Sequence, residues 1–469
     1  MYSRGGKWWE AQKRLLTWMN AKSILFHLSP KGVSREIDRY TPAGQLAGTL
    51  PPTPPADQEL EALRVAMRWA DDVQKASVHF VCARPGEPAG FTGNAYSASC
   101  NYPVKLFSVC AWASYLAEFL RYMKNDQGVP VHVLHVIDEP RWVFRHNWEW
   151  FGLTFDQLWE RWPAAWAPVY AELDRQMKAR GCRTGTNILI LSDTGSFFKK
   201  NGVPFDDVKW LYQQPDVAAA GDGLGLVSYG DSGREITQLI TDMRASLAAA
   251  GWPNRQIFFK DVGGIREQPE KPPEGQPPAP PLPFPPRRQF DYGLDAFGAM
   301  LRAARLSSDF FGQYFWVRPE PTVREPYPTR EFAVEYDETM STFKARYTLH
   351  LFSLFTRTQE KGAVRLRDTV TLPARVSFLA LENLRATFAF RSYYFVNEST
   401  ASVPVDFAPA RNNALQRYSV DFAINSGLTV QHASQPLTNG RARFTLAPQS
   451  AAVLTERPIP TPLNWTPTV

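Results

Sequence analysis

Short runs of β-branched and aromatic residues alternate with helical stretches over the first two-thirds of the chain, and this alternation limits the fold more than any other feature. The runs are Ser23 to Leu28, VHFVC (Val78 to Cys82), VHVLHVI (Val131 to Ile137), NILIL (Asn187 to Leu191), GLGLVSY (Gly223 to Tyr229), QIFFK (Gln256 to Lys260) and FGQYFWV (Phe311 to Val317). Helices are predicted at Gln12 to Asn20, Asp57 to Asp72 with Asp57 as N-cap, Phe107 to Lys124, Thr154 to Arg180, Asp206 to Gln214, Arg234 to Ala250, Leu294 to Ala304 and Glu338 to Phe355. Strands that alternate with helices predict βα units around a parallel sheet. Seven such strands precede residue 320, and an eight-stranded barrel needs one more. The first strand is expected upstream of Met1 or in the opening residues.

From about residue 358 the texture changes. Short alternating runs follow one another (AVRLRD, RVSFLALEN, RATFAFRSYYFVNES, SVPVDFAP, RYSVDFAIN, LTVQHAS, ARFTLAPQSAAVLT), with Asn439–Gly440 as a hairpin turn. This predicts an antiparallel β-sandwich. The expected organisation is a (β/α)8-type barrel over 1–357 and a β-sandwich over 358–469. The stretch QPEKPPEGQPPAPPLPFPP (268–286) favours polyproline II and cannot join a sheet or helix interior. It reads either as a surface insertion or as a lid or docking arm for another protein.

The 469 residues are 44% hydrophobic and 21% charged, enough apolar material for sizeable cores. Aromatics make up 13%, which suits either aromatic-filled cores or a groove for sugars. The net charge of +6 is spread without a Lys/Arg block, so nucleic-acid binding is not implied. No run of 18 apolar residues would span a membrane, and the opening residues show no secretory signal, which leaves the compartment open. Cys82, Cys100, Cys110 and Cys182 form no CxxC pair, so no zinc site is expected, while a Cys100–Cys110 disulfide stays open.

Catalytic groups of a (β/α) barrel sit at the C-terminal ends of its strands. VHVLHVIDEP ends there with Asp138, Glu139 and a proline, and FFKDVGG (258–264) brings Asp261 to the same mouth three strands away. A Glu among apolar neighbours can act as a general acid, and a second carboxylate makes the pair that glycoside hydrolysis requires. A separation of about 5 to 5.5 Å implies retention, and about 6.5 to 9.5 Å implies inversion. Asp261 reads equally as a salt-bridge partner of Lys260 or as a cap. Arg84 and Asn94 are candidate substrate contacts, or simply surface-loop residues. Trp142, with Trp148, Trp150 and Phe151, forms either a sugar platform or packing. His135 reads as a core or loop histidine, because no second metal ligand is in view.

The segments also resemble a known group when taken in order. CAWASYLAEFLRYMKNDQGVPVHVLHVIDEP (110–140) is similar to the fourth βα unit of clan A glycoside hydrolases of the family-30 type, whose strand ends in Asn-Glu-Pro. LVSYGDSG (226–233) resembles their sixth strand with its His-x-Tyr, and IFFKDVGG resembles their seventh strand with its nucleophile Glu. FTLAPQSAAVLT resembles the strand that closes their C-terminal sandwich. The resemblance covers most of the chain and implies a (β/α)8 barrel with a β-sandwich. It makes Glu139 the acid/base, Asp261 the nucleophile, Asp138 and Tyr229 sugar contacts, and Trp316 an aromatic floor. Three positions depart from the pattern: Asp138 replaces the Asn, Val227 replaces the His, and Asp261 is one carbon shorter than Glu.

The leading expectation is therefore retaining hydrolysis of a β-linked glycoside, a reaction that calls for no cofactor. The alternative is a non-catalytic barrel that binds carbohydrate or serves as a structural subunit.

Overall fold

The computed structural model describes residues 6–28, 58–82, 109–136, 155–194, 198–200, 203–228, 236–262, 286–306, 316–319, 332–336, 343–345, 347–366, 370–384, 388–409, 414–423 and 427–459. By its contacts the chain forms two compact units, one holding 23–227 and 239–260, the other holding 6–22, 228–238 and 261–469.

The first unit is built on a curled half-barrel of six parallel strands: β1 (Ser23–Leu28), β2 (Ser77–Cys82), β3 (Val133–His135), β4 (Asn187–Thr194), β7 (Gly223–Ser228) and β8 (Gln256–Val262), in that spatial order. A minor hairpin of β5 (Phe198–Lys200) and β6 (Val203–Phe205) interrupts the numbering. Parallel strands covered on both faces need apolar residues at nearly every position, which is why VHFVC and NILIL read as continuous runs. Phe80, Leu134, Ile188 and Ile190 are almost completely buried. The crossovers run through α2 (Gln58–Asp72), α3 (Val109–Arg121), α4 (Phe155–Ala179), the short α5 (Asp207–Gln213) and α6 (Pro215–Ala220), and α7 (Ile236–Ala249). Phe80 of β2 stacks on Phe119 of α3 with ring centroids 4.7 Å apart, which fixes the helix-covered face of the sheet.

The N-terminal ends of these strands are tied by charge. Arg183 pairs with Asp174 and Asp222 at 2.7 Å each, and Asp222 also accepts the Ile188 amide at 2.7 Å. Glu118 bridges Arg121 and Arg180 at 2.6 and 2.7 Å. A π-helical turn at Tyr122–Asp126 extends α3 and lets the Lys124 ammonium donate to the Cys182 carbonyl at 2.7 Å. This end of such a sheet is where stability, rather than chemistry, is built.

The second unit is layered around an antiparallel sheet. Its order is β12 (Val364–Arg365), β13 (Val376–Asn383), β14 (Phe390–Asn397), β20 (Ser450–Thr455), β16 (Leu415–Ala423) and β17 (Gly427–Gln435). A smaller sheet of β15 (Val403–Phe407), β19 (Arg441–Leu446) and β18 (Leu437–Thr438) packs on one face through Phe378, Phe395, Phe407 and Phe444. The other face is covered by α8 (Pro286–Leu306) and α9 (Tyr347–Thr356), whose Phe297, Phe352 and Leu354 share a core with Leu379, Tyr394 and Val453. Covering on both faces explains why every residue of β20 is buried, whereas β15 alternates buried with exposed. Asn439 and Gly440 have φ of 51° and 71°, the two left-handed positions that a two-residue type I′ hairpin demands.

Three sequence expectations are corrected here. The helix predicted from Glu338 starts only at Tyr347, because Phe343–Ala345 forms β11 and pairs antiparallel with β10 (Phe332–Tyr336). The strand expected at Phe311 to Val317 is β9 (Trp316–Pro319), which pairs in parallel with β10 in a separate three-stranded sheet. The helix expected at Leu294 to Ala304 is longer at both ends. Most of the proline segment and the Asp57 cap lie outside the described residues.

The N-terminal helix α1 (Gly6–Trp18) belongs to the second unit. The Asn20 side-chain amide donates to the carbonyls of Thr356 and Gln359 at 3.3 and 3.2 Å, and Lys22 pairs with Glu360 at 3.1 Å. Trp18 lies under the Arg357 guanidinium at 4.7 Å and meets the His350 ring edge-on at 6.4 Å. Burial holds the His350 imidazole down at about 4, below its ordinary 6.5. A depressed histidine favours the neutral folded form, so its stabilising contribution is present above about pH 6.5 and is lost as pH falls towards 4. The loss amounts to at most about 3 kcal/mol. Urea unfolding at pH 7 and pH 4.5 should therefore show a larger acid loss in the wild type than in His350→Gln.

Gly223 gives a second prediction. A Cβ there would meet the Phe258 ring at 2.6 Å, so Gly223→Ala should lower unfolding stability by roughly 1–3 kcal/mol, read as a lower urea midpoint at unchanged m-value.

Candidate functional site

The C-terminal ends of β3, β4, β7 and β8 are consecutive in the sheet, so the strand leading to Glu139 and the strand carrying Asp261 are separated by β4 and β7. This agrees with the three-strand spacing expected from the sequence. Asp261 is the next-to-last residue of β8. Behind it the strand is anchored by Ile257, Phe258 and Phe259, all buried, and Lys260 is only 6% exposed. Trp316 is the first residue of β9 and follows the register of Phe332 on β10. Glu139, Asp138, Trp142, Arg84, Asn94 and Tyr229 lie outside the described residues. Tyr229 comes directly after β7, and Asp138 and Glu139 come within four residues of the end of β3.

Val227, which stands where the resembled enzymes carry histidine, is completely buried in β7. Its isopropyl group can neither donate to nor accept from a sugar hydroxyl. In the same strand the Phe258 ring fills the space over Gly223.

The mouth of β4 carries a feature with no sequence signal. The register between β4 and β7 shifts between Leu191 and Asp193, and Leu191 has φ of 76°. A left-handed Leu costs on the order of 1–3 kcal/mol and persists only where the surroundings enforce it. Here the Leu191 amide donates to the Tyr170 hydroxyl at 2.8 Å, a buried bond that substitutes for a ladder partner. Bulges at the rim of a barrel re-aim the residues that follow. Glycine or asparagine would have advertised this turn.

His135 ends β3 and is 1% exposed, consistent with its reading as a core histidine. A second histidine was missed. His79 on β2 is 4% exposed, and its ring centroid is 6.1 Å from that of His135. The two-residue alternation of VHFVC and VHVLH is the signal that could have paired them. Among the described residues no cluster of three or more His, Cys, Asp or Glu side chains could hold a metal, and Cys182 is a free, buried thiol. No helix among them is long and apolar enough to cross a membrane.

Neither a protein-family model nor a protein of curated function matches the sequence. Solved structures do match. A GH30 endoxylanase from Clostridium papyrosolvens is similar at 12% identity and a TM-score of 0.56, covering 95% of this chain and 92% of that one. The catalytic domain of GH30 xylanase C from Talaromyces cellulolyticus is similar at 12% identity and a TM-score of 0.59, covering 97% and 93%. A conserved exported protein from Bacteroides fragilis gives 13% identity and a TM-score of 0.61, covering 92% and 88%. At such identities the likeness is one of fold, and it runs over nearly the whole chain: a (β/α)8-type barrel with a β-sandwich, as in the GH30 enzymes.

Proposed function

We infer that this chain is a glycoside hydrolase that cleaves a β-linked polysaccharide with retention of configuration. The observation that carries the reading is the fold shared with xylanases over almost the full length of both chains. The residue roles rest on the sequence. Glu139, at the end of the VHVLHVIDEP segment, would protonate the glycosidic oxygen while the Asp261 carboxylate attacks the anomeric carbon. Glu139 would then take a proton from the water that hydrolyses the glycosyl–enzyme bond. Asp138, Tyr229, Arg84 and Asn94 would hold sugar hydroxyls, and Trp142 and Trp316 would offer faces for stacking.

A specific observation favours a second reading. The buried Val227 offers no hydrogen bond where the resembled enzymes use histidine, and Asp261 withdraws its carboxylate by one C–C bond. A misplacement of about 1 Å can cost about a hundredfold in rate. A chain so altered could bind carbohydrate without cleaving it.

Xylan is the first substrate to screen, because three of the matched structures are xylanases. The expected result is release of reducing ends by the wild type, a fall of about 10²–10⁴-fold in kcat for Glu139→Gln, and no turnover for Asp261→Asn. Asp261→Glu restores the usual side-chain length and should keep the activity that Asp261→Asn loses. No release from xylan or other β-glycans, together with retardation of the protein in a xylan-containing native gel, would decide for the second reading.

A further inference from the structure

A sheet that does not close on itself ends in strands whose outer N–H and C=O groups have no ladder partner, and such edges pair with other chains unless something blunts them. The two sheets of the sandwich have four edges: β12 and β17 bound the large sheet, and β15 and β18 bound the small one. Three of these are blunted. β12 and β18 are two residues long. β15 carries Pro404, which has no N–H to offer, and the exposed Asp406, which pairs with Arg441 and Arg443 at 2.6 and 3.1 Å.

β17 has none of these devices. It runs for nine residues, Gly427–Gln435, without Pro, Asp, Glu, Lys or Arg. Its register with β16 is unbroken from Ala423↔Gly427 to Leu415↔Gln435, so no bulge turns it away from a partner. Among the described residues no strand lies along its other side. Gln431, His432 and Ser434 are exposed. The His432 ring does not shield the edge, because it is held towards β16: it stacks on Tyr418 with centroids 4.5 Å apart, and its Nε2 lies 2.9 Å from the Gln416 Oε1.

We propose that the outer edge of β17 is a self-association surface that pairs antiparallel with β17 of a second copy of this chain. A two-fold axis through the pair places each residue opposite a symmetry mate, so both rows of backbone groups are satisfied at once. Charge favours a second copy as the occupant. An edge of one sign would repel its own copy and attract an opposite peptide, whereas β17 has no Asp, Glu, Lys or Arg to do either. Nine residues make an edge about 30 Å long, and with a depth of about 10 Å the pairing covers about 300 Å² of each partner. The total of about 600 Å² falls short of the roughly 1,200 Å² that stable complexes bury, so the dimer is reversible and depends on concentration. Each copy spends its one open sandwich edge in the contact, which closes the assembly at two.

The test is sedimentation velocity of the full chain at about 2 and about 200 µM in about 0.15 M salt, which screens the net charge of +6. Hydrogen–deuterium exchange is followed at the same two concentrations. The expected result is a monomer at the lower concentration and a dimer at the higher one. In the dimer, peptides from 427–435 should exchange about tenfold more slowly, while those from β12 stay unchanged. Gln431→Lys combined with Ser434→Lys sets like charges on both copies and should keep the chain monomeric, with an unchanged urea midpoint at the lower concentration. The exchange comparison uses only the wild type, so it decides the matter even if the double variant fails to fold. A monomer at both concentrations, a dimer without slowed exchange at 427–435, a species larger than a dimer, or a dimer that survives both lysines in the folded variant would each overturn the proposal.

Discussion

The parallel backbone ladder from β1 to β8 is the constraint on which the rest of the first unit depends. A buried parallel strand has no water to satisfy its amides and carbonyls, so each must find a partner on the next strand. Once Ser23 to Leu28 aligns with Ser77 to Cys82, His79 to Val81 aligns with Val133 to His135, and these with Asn187 to Leu189, the faces of all four strands are fixed together. A slip of one residue on β2 would send Phe80 to the inner face and His79 among the helices. The same registration delivers the strand ends in order at one rim. Where the ladder breaks, at Leu191, a tyrosine hydroxyl supplies the missing acceptor and the strand resumes displaced.

The second unit solves a different packing problem. A single antiparallel sheet with a small partner sheet would leave one face open to water. Here α8 and α9 close that face, and β14 and β20 become the centre of three layers. The helix is locked on by a partly buried ion pair: Arg302 of α8 meets Glu398 at 2.8 Å and Ser377 at 2.9 Å. Burial pushes the Glu398 carboxyl up, and Arg302 offsets only part of that rise. Gly298, one turn before Arg302, leaves room for the Glu398 carboxylate to lie against the helix. The N-terminal helix joins this unit through Asn20, Trp18 and Lys22, so residues from both ends of the sequence share it.

Much of this was legible because strands covered on both faces must be apolar throughout, and the seven runs stand out from the helices between them. The Asn439–Gly440 turn was legible for its φ requirement. What stayed hidden depended on contacts distant in sequence. Phe343–Ala345 reads as helix until β10 is there to pair with it. The positive φ of Leu191 carries no glycine to mark it. The pairing of His79 with His135 needs the register, which no single segment reveals. For the candidate site, the sequence marked which strands lead to Glu139 and Asp261 through their terminal carboxylates. The meaning of Val227 became sharper with its burial, since a fully enclosed valine can make no sugar contact at all.

The central claim is that Asp261 becomes bonded to sugar during turnover. The most direct measurement is intact-protein mass spectrometry after incubation with a 2-deoxy-2-fluoro-β-xylobioside carrying a dinitrophenolate leaving group, followed by peptide mapping. A retaining mechanism predicts a mass increase of one fluoroxylobiosyl unit per chain, located on the peptide that contains Asp261. Dinitrophenolate release without a labelled peptide, or a label on a different carboxylate, would contradict it.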